Sequence, residues 1–362
     1  SSAAWAQSLQ PSDEVRYGHL EYFGFYASAL GRWNFTAELA PYTNLTWIHT
    51  GSASNPERGV ELILERLNEA ADAGVSAVLS IEHFLFENEE GDLRSQEYVE
   101  DFLTGLRTAI EEEDLMGSVA MLYPKDEPYR EFVTARDPSI IDEYITGDVY
   151  EDVEEVLQVT NDRIKSVFPE KPIGVILSGY RLHHDFFSIP ENYDWVGFDC
   201  YKDLFYSCDD ETFDRHYEQL IAHMQPHQRL LAVAETWVEN ERQDQQDWPA
   251  TLMQRFLHHY EMALSDPRFV AFIPFIWSFE SDNEVPGIGL DRFPELFDDG
   301  VENLGSLFVD AVLDAGMQVK TGQFYYPNLH HSETEDSAYR PASNVRGELV
   351  EVSESGLVTA WA

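Results

Sequence analysis

Lysine is almost missing from this chain, with five residues (Lys125, Lys165, Lys171, Lys202 and Lys320) among 362. Lys and Arg together number 23 against 67 Asp and Glu, a formal net charge of -44. Phosphate binding needs a basic stripe, and so few cations cannot supply one, which excludes nucleic acid as a partner. No apolar run reaches the roughly 18 residues that span a bilayer, so no membrane association is expected. Cysteine is scarce too: Cys200 and Cys208 are read either as one loop disulfide or as two free thiols, and their number and spacing do not resemble a metal site. Low-complexity tracts are absent. Hydrophobic residues at 43% and aromatics at 13% give the composition of a globular protein.

What the chain has in excess is negative charge. Such a surface repels itself in dilute buffer and is expected to suit a saline habitat, where salt shortens the Debye length. The opening Ser1 to Gln7 contains Ala-Trp-Ala, similar to the small-residue remnant of a signal cleavage site, which suggests an extracellular or periplasmic location. A monomer is expected.

Short apolar runs alternate with amphipathic stretches of helical period. The runs fall at 22–27, 44–49, 75–81, 117–123, 172–178, 194–199, 229–235 and 269–277. Helical stretches are clearest at 56–73, 95–113, 148–167, 211–224 and 248–264, with a last one near 301–313. In the first, Val60, Ile63, Leu64, Leu67 and Ala71 form one face and Glu61, Glu65 and Glu69 another; Pro56 suits a first turn and Gly74 a stop. Eight βα units close most simply as an α/β fold of the (β/α)₈ TIM-barrel type, although an open doubly wound sheet uses the same units. Residues 1–317 are assigned to the barrel. Residues 318–362, with β-like segments at 323–326, 347–352 and 357–361, read as a short β-rich C-terminal extension packed on it.

In such a barrel the reactive groups follow the C-terminal ends of the strands. Those positions hold Tyr26, Arg32, His49, Glu82, His83, Asp126, Glu127, Tyr180, Arg181, Tyr201, Glu235, Trp237 and Trp277. Glycosidic cleavage needs one carboxyl to protonate the leaving oxygen and a second to attack or to activate water, while aromatic faces stack on sugar rings. Four motifs stand in matching strand order: Tyr123-Pro-Lys-Asp-Glu127-Pro, Phe198-Asp-Cys-Tyr201, Ala232-Val-Ala-Glu235-Thr-Trp and Phe275-Ile-Trp277. Together they resemble the large clan of retaining (β/α)₈ glycoside hydrolases with catalytic glutamates at strands four and seven. The resemblance covers about residues 117–280. It implies Glu127 as acid/base, Glu235 as nucleophile, Tyr201 as donor to the nucleophile and Trp277 as the floor of the subsite, with a polysaccharide or oligosaccharide as substrate and no cofactor or metal. Asp126 stands where the clan usually has Asn; it is read as a tuner of Glu127, a ligand for an unusual sugar, or the acid itself.

Tyr26, His83, Tyr180, Arg181 and Trp237 are candidate substrate contacts. Trp47 and Trp195, inside strands, are read as core. His49, Glu82, His83, His183 and His184 admit a rival reading as a metal-dependent (β/α)₈ hydrolase, although no His-x-His follows the first strand. A catalytically inert carbohydrate-binding barrel would share every aromatic named. Six of the scarce cations, Arg32, Arg94, Lys125, Arg130, Arg181 and Lys202, fall in loops at the catalytic face. They either balance local acids or recognise the sulfate or uronate groups of an acidic, marine-type glycan.

Overall fold

A computed structural model of the chain describes residues 19–30, 33–50, 55–136, 147–182, 187–201, 208–239, 248–278, 287–296, 304–323 and four short strands between 328 and 360. Every expected strand of the barrel is present. They are β1 (Tyr22–Phe23), β2 (Leu45–His49), β3 (Ser76–Ser80), β4 (Val119–Tyr123), β5 (Gly174–Ser178), β6 (Trp195–Asp199), β7 (Arg229–Glu235) and β8 (Phe269–Phe275). All pair in parallel, within two sheets: β1-β8-β7-β6-β5, and β2-β3-β4 extended by the short strands Ala29–Leu30 and Trp33–Asn34. At one seam Leu122 N donates to Pro172 O (2.9 Å) and Glu127 N to Ile176 O (3.1 Å); at the other Asn44 N donates to Phe23 O (3.1 Å). The fold is a (β/α)₈ barrel. β1 is followed by Gly24, which the close approach of β2 requires: a Cβ there would stand 2.0 Å from Leu45 O.

The helices on the outside are α1 (Pro56–Asp72), α2 (Gln96–Glu112), α3 (Pro128–Arg136), α4 (Gly147–Val167), α5 (Asp210–His223), α6 (Trp248–Ser265) and α7 (Leu304–Thr321). α1 shows how the sequence sets an element. Asn55 caps it by accepting Arg58 N at 2.8 Å, a bond worth about 1 kcal/mol. Pro56 occupies the first turn, Ile63 and Leu67 are fully buried, and Gly74 ends the segment at φ 69. Three features differ from the sequence expectation. α3 starts directly after Glu127 and was not foreseen. α7 continues past 313 because Ala315 and Val319 keep its buried face going, so it crosses the 317/318 boundary. In the tail, Asn328–His330 pairs with Arg340–Ala342 and Val350–Val352 with Val358–Ala360; the segment 323–326 lies mostly outside the described residues.

Period-two alternation divides each strand between two cores. Leu45, Trp47, Met121, Tyr123, Trp195 and Val233 fill the barrel interior, whereas Ile48, Leu79, Leu122, Val196 and Phe272 face the helices. Trp47 and Trp195 are core, as the sequence suggested.

Ion pairs such as Arg58–Glu61 and Arg66–Glu69 use the scarce cations, but 23 Lys and Arg cannot match 67 acids one for one. The melting temperature is therefore expected to climb by more than about 5 °C between low-millimolar and molar NaCl as self-repulsion is screened. A flat or falling curve in differential scanning calorimetry would mean that the negative charge is already compensated.

Candidate active site

The alternation that fills the barrel also selects what caps it. Continuing the inward phase to the C-terminal end of each strand gives His49, Ser80, Tyr123, Ser178, Asp199, Glu235 and Phe275. Tyr26 follows β1, and Asp126 and Glu127 follow β4. The barrel mouth is thus an acidic and aromatic layer over an apolar plug.

Four carboxyls converge on one phenol. Burial, then Asp199, Glu127, Asp126 and Glu235 together hold the Tyr201 hydroxyl well above the usual tyrosine range, which places all four acids within electrostatic reach of it. Glu127 is 7% exposed and Glu235 3%. Burial, followed by Glu127 and Asp126, raises the Asp199 carboxyl well above its ordinary value, and Asp199 is hydrogen-bonded to Glu127. A neighbouring carboxyl disfavours the ionised form of Asp199, in the same direction as its burial. On its other side Glu127 is paired with Arg130. Glu127 has φ 36, a left-handed conformation rare for a side chain of this size, and Ala27 at the same mouth has φ 52. Such strain concentrates at functional sites.

Asp126 is raised to about 7, by burial first and Glu127 second, with Glu82 and Glu131 adding to the effect. The Tyr123 hydroxyl opposes this by donating to Asp126 Oδ1 at 2.5 Å, and Tyr26 also hydrogen-bonds Asp126. Asp126 N donates to Glu82 Oε2 at 3.4 Å. Lys125 bridges Glu82 (3.3 Å) and Glu131. His49 is lowered to about 4 by burial, against the pull of Glu82, so it is neutral at pH 7.

The aromatic wall differs from the one read in the sequence. Phe275 meets Tyr201 (5.2 Å between centroids), Tyr26 (5.4 Å) and Trp237 (6.0 Å). Trp277 instead packs edge-on against Phe25 at 5.3 Å and donates from Nε1 to Glu38 Oε1 at 3.2 Å. Phe275, the last inward residue of β8, thus faces the other aromatics of the mouth, whereas Trp277 faces Phe25 and Glu38.

The fold is shared with xylanase 10B from Thermotoga petrophila RKU-1, at 11% identity and a TM-score of 0.53 over 85% of this chain and 99% of that one. It is shared with a broad-specificity endoglucanase from an uncultured bacterium (9%, 0.54, 83% and 95%) and with an exo-β-1,4-mannosidase from Opitutaceae bacterium strain TAV5 (9%, 0.52, 83% and 60%). No family model and no curated protein matches the sequence. At such identities the likeness is one of fold.

The remaining candidates fall in different places. Tyr26, Asp126, Glu127, Tyr201, Glu235 and Trp237 come together at the mouth. His83 is exposed, its ring against Phe84. Arg181 is buried beside Arg130 and Glu127; burial, then Arg130, lowers it to about 10. Arg94 lies over Tyr98 and donates to His83 O. Tyr180 lies in the short turn after β5 with its side chain outside the described residues, as do Arg32, His183, His184 and Lys202. Cys200 and Cys208 are bonded. Among the described residues no group of three or more His, Cys, Asp or Glu is arranged to hold a metal ion. Asp199 and Phe275 were missed in the sequence, although extending the alternation of β6 and β8 by one step would have found both.

Proposed function

We propose that the chain is a glycoside hydrolase acting on a polysaccharide or oligosaccharide with retention, using Glu127 as acid/base and Glu235 as nucleophile. The observation that carries this is the gathering of carboxyls from β4, β6 and β7 within electrostatic reach of Tyr201 at the C-terminal mouth of the barrel, with Asp199 hydrogen-bonded to Glu127. Glu127 gives the leaving oxygen a proton while Glu235 attacks the anomeric carbon. Water, deprotonated by Glu127, then releases the sugar. Asp126, fixed by two tyrosines, stands beside Glu127 as a further hydrogen-bonding group for the sugar. The glycosidases that share the fold support the reading. The test is a panel of 4-nitrophenyl glycosides and polysaccharides at low and high salt, with the product anomer read by NMR. Binding of glycan without turnover would select an inert barrel, and turnover abolished by chelators a metal-dependent hydrolase. The disulfide and the acidic surface support an extracellular or periplasmic workplace.

The same geometry supports an acidic glycan. Lys125 serves Glu82 and Glu131, but Arg130 and Arg181 are like charges pressed together beside Glu127, and Arg130 keeps 59% of its side chain exposed. A sulfate or uronate between them would relieve that repulsion. Arg181→Ala is expected to lower kcat/KM on a uronic or sulfated substrate about 10- to 100-fold, and on its neutral analogue hardly at all. Equal losses on both would remove charge recognition and leave the glycosidase reading standing.

A further inference from the structure

Arg255 has no part in the chemistry above, yet it reaches Glu235 from outside the barrel. It is 3% exposed and lies on the buried face of α6 with Leu252, Phe256 and His259. A guanidinium remains charged in proteins, so burying one is strongly unfavourable unless its donors are occupied and an anion faces it. The two terminal nitrogens meet both conditions, whereas Nε is buried without a hydrogen-bond partner. Nη2 donates to Cys200 O at 2.8 Å and stands 3.5 Å from Glu235 Oε2, while Nη1 donates to Cys208 O.

The two acceptors are not independent. Cys200 directly follows β6, and Cys208 precedes Asp209, the residue that caps α5 by accepting Thr212 N. The Cys200–Cys208 bond ties them with Cα atoms 5.5 Å apart, and both residues are buried. The carbonyls that grip the guanidinium thus belong to the two residues that the bond joins. Without the bond, Cys208 O is free to follow α5, and Arg255 loses one of its two anchors. Tyr201 is carried at the start of the same tied loop.

We propose that Arg255 is a positioning residue for Glu235, held by the carbonyls of the bridged cysteines, so that the disulfide fixes the orientation and charge state of the nucleophile. This rests on the reading of Glu235 as nucleophile. Glu235 lies within electrostatic reach of the Tyr201 phenol, as do Asp199 from β6 and Asp126 and Glu127 from β4. On α6, His259 lies beside Arg255 and stacks on Phe213 at 3.7 Å between centroids; burial first, then Arg255 and His258, hold it well below the usual histidine range, so it is neutral. Arg255 thus brings a positive charge to within 3.5 Å of Glu235.

The test does not depend on a glycan. In the full chain labelled with ¹³C-Glu, the Glu235 carboxyl signal is assigned by its loss in Glu235→Gln and titrated by NMR. Arg255→Met is expected to move its midpoint up by about one pH unit or more, because a facing cation favours the ionised form. Arg255→Lys restores most of that shift. Reducing the wild-type chain with a phosphine moves the midpoint in the same direction by less, and this arm needs no substitution should Arg255→Met fail to fold. On a 4-nitrophenyl glycoside that the wild type cleaves, Arg255→Met lowers kcat/KM about 10- to 100-fold near neutral pH, with the loss shrinking as pH rises. A midpoint unmoved in Arg255→Met, or identical in oxidised and reduced wild type, overturns the proposal. A shifted midpoint in a chain that cleaves no glycoside keeps the positioning role and removes the nucleophile reading.

Discussion

Glu235→Gln is expected to remove essentially all turnover, a loss of at least about four orders of magnitude, while the melting temperature and glycan binding persist. The amide matches the carboxylate in size and still accepts a hydrogen bond, so the packing around it has little reason to change. What it lacks is a negative oxygen able to form the glycosyl–enzyme bond. Glu127→Gln should behave differently. Its lost function is proton transfer, worth about 10²- to 10⁴-fold, and that loss vanishes for leaving groups that need no proton. The variant should therefore cleave a 2,4-dinitrophenyl glycoside near the wild-type rate in the first step, accumulate the covalent intermediate, and respond to added azide with a glycosyl azide product. A Glu235→Gln chain that keeps a tenth of its activity would sink the assignment, and so would equal damage by Glu127→Gln on activated and ordinary substrates.

The architecture was legible because both of its periodicities are strong. Strands such as 229–235 and 269–275 are continuous apolar runs between turn signals, and α1 repeats every 3.6 residues with acids on its far side, so existence and type could be read, with the largest boundary error at the end of α7. The two candidate acids stood out because Glu235 ends an apolar strand and Glu127 follows one by four residues, where a carboxyl is expensive. Its partners were harder to find. Trp277 was favoured over Phe275 because a motif names a residue type, whereas the wall is chosen by which residue last keeps the inward phase of β8. Asp199 was passed over for its neighbour Tyr201 for the same reason. Arg255 has a subtler signal: a lone arginine in the buried stripe Leu252, Phe256, Tyr260. Its meaning depended on knowing that the carbonyls of Cys200 and Cys208 meet at its guanidinium. The pairing of Lys125 with Glu82 joins segments about forty residues apart and carries no local signature.

Asp126→Asn is expected to stabilise the folded protein by about 2–4 kcal/mol at pH 8 and to change little at pH 4, while lowering activity. The sign follows from the direction of the shift. Asp126 is raised to about 7 in the folded chain, by burial and by Glu127, against about 3.9 for an unfolded aspartate. Below pH 4 both states hold the proton and the group has no effect. Between pH 4 and 7 the unfolded chain gives up its proton first, so rising pH favours unfolding, and above pH 7 the full penalty of an ionised carboxyl beside Glu127 is present. Asparagine carries no charge at any pH, and its carbonyl oxygen still accepts from Tyr123 and Tyr26. It also relieves Asp199, which Asp126 helps to raise. Guanidinium unfolding of both chains at pH 4.5, 6 and 8 measures the effect directly. The difference should open progressively across that range, and the same variant should lose activity because a carboxyl held by two tyrosines at the mouth is replaced by an amide. Equal stability at pH 8 would mean that Asp126 ionises without cost in the folded chain.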